Sequence, residues 1–320
     1  MTNEYKRKYS GLIPAIALPF KSDMQIDEPG LRKLAKHLVD SHSIVGVLTN
    51  GHTGELFALS ATERAKVTRI VAEEVAKYSE LPVISAISCE GIADAQLHAE
   101  MAKDAGARAV MIMPPHHWLR FGCRESHVLD YFDAIAQAID LDFFVHVYPA
   151  WTRASYSSQL LAKLARRPYV KVFKVGTRDM NQYARAIAAI RAADSSKTIL
   201  TCHDEYLLAS MVQGVDGALV GFGSFIPGPI NKLWEAVKRG DLHEAQKIQA
   251  FINPLKEAVY GSGEPTGDAH SRLKEAMRVA GLVENATPRP PTMPPDEKEK
   301  AQIRAAVEGA GLAKAVATYV

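Results

Sequence analysis

Short apolar runs alternate along most of the chain with stretches that carry apolar residues at helical spacing. Eight runs have the length of a strand: Leu12–Phe20, Val45–Asn50, Pro82–Ser88, Ala109–Pro114, Phe143–Pro149, Val170–Gly176, Thr198–Cys202 and Gly217–Phe222. Each is followed by a stretch that predicts a helix: Leu31–Ser41, Ala61–Lys77, Ala93–Ala105, His127–Ile139, Ser158–Arg166, Asn181–Ala193, Glu205–Gln213 and Pro229–Arg239. Such alternation is typical of a parallel sheet with helical crossovers.

The number and character of these units predict a barrel. Runs that are apolar on both faces suit a sheet that is buried on both sides. Eight strand–helix units in about 240 residues match the size of a (β/α)8 barrel. The predicted fold class is therefore α/β, a (β/α)8 TIM barrel at residues 1–240 that carries the active site. A doubly wound open sheet remains the structural alternative, because periodicity does not separate the two.

The pattern changes after Arg239, where predicted helices are no longer separated by strands. A proline-rich connector, Ala286–Asp296, lies between the second and third of them. We expect residues 241–320 to form a C-terminal helical extension packed on the barrel or on a neighbouring subunit. Its predicted helices are Leu242–Tyr260, Arg272–Ala280 and Lys298–Gly311.

Two helix starts carry side chains suited to capping. Ser60 is followed three residues later by Glu63, the spacing of a capping box. Asp204 is a plausible cap for the helix that follows the seventh strand.

Composition narrows the class of protein. The 38 basic and 36 acidic residues give a net charge of +2, which offers no electrostatic case for nucleic acid or an anionic membrane. No apolar segment approaches the roughly 20 residues of a membrane span, and no apolar run follows the basic residues near the N-terminus. Cys89, Cys123 and Cys202 are odd in number and far apart. We therefore expect a cytoplasmic protein.

Candidate chemistry is sought where the predicted strands end, because active sites of such barrels lie at the C-terminal ends of the strands. Several of these ends carry polar groups. They are Asn50–Glu55, Ser88 with Cys89, Pro114–Trp118, His146–Pro149, Lys174 and Cys202–Glu205.

Lys174 is at the C-terminal end of the sixth strand. Side-chain alternation places it on the same face as Val170 and Val172. A lysine desolvated inside a barrel has a lowered pKa and can attack a carbonyl as a neutral amine. The alternative is a structural lysine that reaches the rim or pairs with Glu55 or Asp204.

The fifth strand places Phe144, His146 and Tyr148 on one face, with His146 roughly level with Lys174. Either His146 or Tyr148 could relay a proton. It is equally consistent with the pattern that His146 is a hydrogen-bonded core residue and Tyr148 a packing residue.

The segment Gly51–Glu55 predicts a tight loop whose backbone N–H groups and Thr53 hydroxyl could hold a carboxylate. This pattern is unspecific by itself. The histidines and acids at the strand ends lack the spacing of a metal site. We therefore predict no metal and no cofactor.

Three segments resemble motifs of the dihydrodipicolinate synthase / N-acetylneuraminate lyase family of Schiff-base aldolases and lyases. They are GLIPAIALPF at residues 11–20, GHTGE at 51–55, and VFKVGTRD at 172–179. The resemblance extends from Gly11 to about Gly311. It implies a (β/α)8 barrel with a helical extension, a homotetramer built as a dimer of dimers, and a 2-oxo acid substrate. It also implies that Lys174 forms the imine.

The strand-five region departs from this family. Aligned on Pro149, the position of the family's proton-relay tyrosine is His146, and Tyr148 lies two residues later on the same face. The position of an arginine that helps bind the carboxylate in dihydrodipicolinate synthases is Trp151, with Arg153 two residues further on.

Other departures fall in the remaining motifs. His52 replaces the first hydroxyl residue of the glycine loop, and His116 the tyrosine that acts in the partner subunit. Leu18 replaces a threonine, and Cys202 a glycine. The candidate catalytic residues are then Lys174, Tyr148 and His146. The candidate substrate-binding residues are Gly51, His52, Thr53, Gly54, His116, Trp151, Arg153, Cys202 and Leu219.

These departures disfavour dihydrodipicolinate synthase activity proper. The strand-four and strand-five forms look more like the family's dehydratases of 2-keto-3-deoxy sugar acids. The sequence predicts a lyase that dehydrates or cleaves a 2-oxo acid through a lysine Schiff base. A non-catalytic 2-oxo acid binding homologue and a metal-dependent hydrolase are the alternatives from other classes.

Overall fold

The computed structural model describes residues 8–149, 152–261 and 266–315. Its eight parallel strands are β1 (Gly11–Pro14), β2 (Val47–Thr49), β3 (Val83–Ile87), β4 (Ala109–Ile112), β5 (Asp142–Val147), β6 (Val170–Val175), β7 (Thr198–Thr201) and β8 (Gly217–Val220). Consecutive strands pair from β2 to β8, and β8 pairs with β1. A bridge between Ala15 and Leu48 joins the β1 and β2 sides. The prediction of a barrel is confirmed, and the alternative of an open sheet is wrong.

Helices surround the strands and cover their C-terminal ends. Those of the barrel are Glu28–Asp40, Ala61–Ala76, Ile92–Asp104, Glu125–Ala138, Ser158–Ala165, Met180–Ala193, Leu207–Met211 and Pro227–Lys238, with single 3-10 turns at Leu56–Ala58 and Phe222–Ser224. The extension contains Leu242–Tyr260, Ala269–Val279, Glu297–Gly309 and Leu312–Ala315. Within the described residues, no helix is both long and apolar enough to cross a membrane.

Three local expectations need correction. The apolar run Leu12–Phe20 is a strand only as far as Pro14. Ala15 and Ile16 still donate backbone hydrogen bonds to Val220 and Leu48, but the later residues of the run are buried against the helices rather than paired. A short helix, His116–Phe121, forms after β4 where the pattern predicted no helix. Asp204 caps no helix, since its carboxylate accepts the Phe222 backbone N–H at 2.6 Å. The predicted capping box of Ser60 and Glu63 is confirmed.

Alternation of side chains along each strand builds two apolar layers. The layer inside the barrel takes one large residue from each strand: Ile13, Leu48, Ile84, Met111, Phe144, Val172, Leu200 and Leu219. The opposite faces pack against the helices, as Phe173 and Val175 of β6 do. Because the interior is filled by these side chains, a cavity can open only beyond them, at the strand ends.

A buried ion pair ties the extension to the barrel. Lys274 Nζ lies 2.8 Å from Glu55 Oε1, and both side chains are 1% exposed. The other carboxylate oxygen of Glu55 accepts the Arg289 backbone N–H at 2.9 Å. Lys274 also donates to the Thr287 carbonyl at 2.9 Å. The end of the Gly51–Glu55 loop is thus held by two segments of the extension.

We expect Lys274→Met to lower the free energy of unfolding by about 3–5 kcal/mol, because it leaves the Glu55 carboxylate buried without its partner. Urea denaturation measures the loss. Lys66→Met is the matched control, since the Lys66 side chain is 53% exposed. A loss below about 1 kcal/mol, the size typical of an exposed pair, would contradict the structural role of this pair.

Candidate active site

A cavity of about 300 Å³ opens at the C-terminal ends of the strands. The barrel and the extension both line it. The lining residues are Ala15, His52, Thr53, His146, Tyr148, Pro149, Lys174, Gly176, Arg178, Cys202, Asp204, Glu205, Gly221, Tyr260, Thr266, Gly267 and His270. Its volume is at the lower end of the range of small-molecule sites, roughly 300–1,000 Å³.

Lys174 lies at the inner part of this cavity. In the sheet it is level with His146 of β5 and Leu200 of β7. Its side chain is 8% exposed. Among the described residues, no carboxylate lies within ion-pair distance of it. Neither pairing considered from the sequence is formed, because Glu55 binds Lys274 and Asp204 binds the Phe222 backbone.

Three histidines share the cavity with Lys174. Burial, followed by the nearby charges of His270 and Lys174, lowers the pKa of His52 to about 3. Burial, followed by the charge of Lys174, holds the pKa of His146 well below its usual range. The same two causes lower the pKa of His270 to about 4. All three imidazoles are therefore neutral at pH 7 and can each donate and accept one hydrogen bond.

Tyr148 joins two of these histidines. Its hydroxyl lies 3.3 Å from His52 Nε2. Its ring meets the His146 ring edge-on, with centroids 4.8 Å apart. Burial raises the pKa of Tyr148, so the hydroxyl stays protonated. On the other side of His146, Nε2 lies 3.9 Å from Cys202 Sγ, and its buried Nδ1 has no partner among the described residues.

The loop Gly51–Glu55 is held in a strained conformation. The residue before it, Asn50, and its last residue, Glu55, have φ values of 57° and 53°, which few residues other than glycine adopt. The Asn50 amide donates to Ser85 Oγ and Thr68 Oγ1, both at 3.0 Å. Glu55 is fixed by the extension. Both ends of the loop are therefore anchored by buried side-chain contacts.

Thr53 is a residue of this loop that lines the cavity. Its side chain is 5% exposed. Its backbone N–H and hydroxyl have no hydrogen-bond partner in the part of the chain that the structure describes. Gly221 lies against it, and a Cβ at Gly221 would come within 2.4 Å of Thr53 Oγ1. The glycine thus leaves the space in which Thr53 can meet a ligand.

Acidic residues occupy another wall of the cavity. Burial raises the pKa of Asp204 to about 6, although the Phe222 N–H opposes this effect. Glu205 forms an ion pair with Arg178. The sequence placed Asp204 and Glu205 at the end of the seventh strand, which marks them as possible site residues. Neither was predicted to be catalytic or to bind the substrate. His270 and Tyr260 gave no such signal, because they belong to the extension.

The remaining candidate residues lie at different distances from the cavity. Leu219 is fully buried in the apolar layer below it. Arg153 is exposed and does not line it. His116 borders a neighbouring cavity of about 240 Å³ that also reaches His52 and Tyr148, and its N–H donates to Glu90 Oε1 at 2.8 Å. Trp151 lies outside the described residues.

One group of side chains within the described residues has the composition of a metal site. Potential ligand atoms of Cys89, Asp94 and His98 lie within 4.8 Å of one another. None of the three lines the cavity around Lys174. This group is therefore separate from the cavity around Lys174.

Comparison with known proteins agrees with this geometry. Residues 8–310 match the Dihydrodipicolinate synthetase family. The chain is 25% identical to a protein named putative 2-dehydro-3-deoxy-D-gluconate aldolase YagE from Escherichia coli K12, over 92% of this chain and 95% of that protein. It is 28% identical to an N-acetylneuraminate lyase from Mediterraneibacter gnavus, over 89% and 87% of the two chains.

A solved structure shows the same fold. The crystal structure of YagE in complex with pyruvate superposes with a TM-score of 0.86, at 24% identity, over 95% of this chain and 99% of that one. The match over residues 8–310 places the chain in the Dihydrodipicolinate synthetase family. The resemblance inferred from the three motifs is confirmed, and so is the expectation of a lyase or aldolase of the Schiff-base class.

The neutral histidines predict how stability depends on pH. Below about pH 6.5 the unfolded chain takes up protons on these imidazoles and the folded chain does not, so the free energy of unfolding falls as the pH drops. Asp204 opposes this trend between about pH 4 and 6, because its raised pKa lets the folded state bind a proton.

We expect His52→Asn to reduce the loss of stability between pH 7 and pH 5 by roughly 2 kcal/mol, the contribution of one buried neutral histidine. Urea denaturation at the two pH values measures it, with the exposed His243→Asn as the control. An unchanged pH dependence in His52→Asn would show that His52 titrates alike in the folded and unfolded chain, so that burial does not hold it neutral.

Proposed function

We propose that this protein forms an imine between Lys174 and C2 of a 2-oxo acid, and then eliminates water or cleaves the C3–C4 bond. The observation that supports this most strongly is the setting of Lys174. It is largely buried at the C-terminal end of β6, without a carboxylate partner among the described residues, and faces a cavity of ligand size. A lysine in such a site can act as a nucleophile toward a carbonyl carbon.

The substrate carboxylate is proposed to bind at Thr53. This residue lines the cavity, and its unpartnered hydroxyl lies beside Gly221. Hydrogen bonds from a neutral donor to a carboxylate are stronger than those between neutral groups. With C1 held there, C2 can be presented to Lys174 Nζ.

The chemistry then follows from the imine. The amine adds to C2, the carbinolamine loses water, and the protonated imine draws electrons from C3. For dehydration, a base removes a C3 proton to give the enamine. The enamine then expels the C4 hydroxyl, which takes up a proton from the protonated base and leaves as water. For aldol cleavage, the C4 hydroxyl loses its proton, the C3–C4 bond breaks to give an aldehyde and an enamine, and C3 is then protonated. Hydrolysis of the remaining imine frees Lys174.

His146 is proposed to move the C3 proton. It is level with Lys174 and has a buried ring nitrogen without a protein partner. Part of the lowering of its pKa comes from the Lys174 charge. The imidazole is therefore neutral before reaction and can accept a proton. Tyr148, hydrogen-bonded to His52, is proposed to support the relay from the next position along β5.

The named relatives suggest the kind of substrate. One is named as an aldolase of 2-dehydro-3-deoxy-D-gluconate and another as an N-acetylneuraminate lyase. Several others are named 4-hydroxy-tetrahydrodipicolinate synthase, including one from Haloarcula marismortui at 28% identity. Arg153 lies away from the cavity, which favours dehydration or cleavage of a 2-keto-3-deoxy acid over the synthase reaction.

Assembly as a homotetramer and a cytoplasmic location stay predictions. One structural relative is described as a monomeric dihydrodipicolinate synthase variant, so the fold alone does not fix the number of subunits. Light scattering on the purified protein would measure its mass in solution.

Borohydride treatment in the presence of pyruvate tests the imine. We expect a stable adduct on Lys174 in the wild type and none in Lys174→Ala, as read by peptide mass spectrometry. Lys171→Ala is the matched control, because Lys171 lies on the opposite face at the other end of the same strand. Absence of an adduct in the wild type would sink the proposal and favour a non-catalytic binding protein.

Exchange of the C3 hydrogens of pyruvate with deuterium, followed by NMR, tests the role of His146. We expect His146→Ala to slow exchange by about 10²–10⁴-fold, the usual effect of removing a general base, while borohydride trapping on Lys174 persists. Tyr148→Phe should slow it less. If Tyr148→Phe is the more damaging change, the proton-handling role belongs to Tyr148.

A further inference from the structure

We propose that His270 is a specificity-determining residue that hydrogen-bonds the substrate beyond C3, and that the cavity selects 2-oxo acids with an uncharged, hydroxylated tail. This inference rests on the function proposed above. It concerns a residue of the C-terminal extension, which the chemistry at Lys174 does not itself require.

The helix that carries His270 is firmly placed over the cavity. His270 is its second residue and Lys274 comes one turn later, so the two side chains share a face of the helix. Lys274 is fixed by the buried Glu55 carboxylate at the end of the glycine loop. The contact that anchors the helix therefore also sets the position of His270.

His270 lines the outer part of the cavity. Its neighbours there, Thr266 and Gly267, are exposed, whereas Thr53 is buried. A ligand with its carboxylate at Thr53 and its C2 at Lys174 must extend its other end toward these residues. The buried Nδ1 of His270 has no partner among the described residues. Because the His270 ring forms no hydrogen bond among the described residues, the part of it that lines the cavity can bond a ligand hydroxyl.

The charges around His270 favour a neutral tail. The cations that line the cavity are Lys174 and Arg178, and Arg178 is paired with Glu205. Asp204 also lines the cavity. A second carboxylate on the substrate would add negative charge to a cavity that already holds these two acids. A hydroxyl can both donate to a neutral imidazole and accept from it. With a volume of about 300 Å³, the cavity also has room for more than the three carbons of pyruvate.

The test measures the ligand concentration that half-saturates borohydride trapping on Lys174, which does not depend on turnover. The probes are pyruvate, which has no tail, and 2-dehydro-3-deoxy-D-gluconate, which has a hydroxylated one. We expect His270→Ala to raise this concentration about tenfold for the longer acid, the effect of one lost hydrogen bond. For pyruvate the change should be less than about twofold.

Two further variants keep the result interpretable. His270→Gln, which retains a donor and an acceptor, should recover most of the binding of the longer acid. His243→Ala, at an exposed position, should leave the half-saturating concentration of both ligands unchanged. An equal rise for pyruvate and the longer acid in His270→Ala would overturn the role of His270, because it would show a general loss of the site.

2-Oxoglutarate, with a carboxylate at its far end, tests the substrate class. We expect it to half-saturate the wild type only at a higher concentration than the hydroxylated acid does. The reverse order would overturn the proposed selection of a neutral tail. Absence of any trapping in the wild type would instead refute the proposed function itself, so the two failures are distinguishable.

Discussion

The register of β6 in the barrel decides what Lys174 can do. Successive side chains of a strand point to opposite faces, so a slip of one residue would bury Lys174 among the helices and turn Phe173 inward. The ladders to β5 and β7 fix this register, and they place His146 beside Lys174 and Leu200 on its other side. The filled apolar layer beneath, with Val172 and Phe144, keeps the lysine at the end of the barrel where a ligand can enter.

Burial then controls the charges around the lysine. Lys174 shares its cavity with three imidazoles that burial keeps neutral, and with a tyrosine whose hydroxyl stays protonated. None of these groups neutralises the lysine, as a carboxylate would. They can instead pass protons and form hydrogen bonds with a bound substrate. The acids of the cavity, Asp204 and Glu205, are occupied by the Phe222 backbone and by Arg178.

The C-terminal extension packs on the barrel and also contributes residues to the cavity around Lys174. Its Lys274 neutralises Glu55 at the end of the Gly51–Glu55 loop, and its His270 reaches the cavity one turn earlier. Because one helix supplies both contacts, loop geometry and the outer wall of the cavity are mechanically linked. A change in the packing of the extension would therefore alter ligand binding at a distance from Lys174.

The sequence by itself predicted the eight strand–helix units, the place of Lys174 at a strand end and the family, because strand periodicity, strand length and three motifs are local properties of the chain. Periodicity left open whether the sheet closes, and only the pairing of β8 with β1 and the bridge between Ala15 and Leu48 decided for the barrel. The sequence also placed His146 level with Lys174, since alternation along a strand is regular. It did not reveal that His52 bonds Tyr148, that Asp204 binds a backbone N–H rather than capping a helix, or that His270 enters the cavity. Those contacts join segments far apart in the chain, and only the packing of the extension and loops onto the barrel decides them.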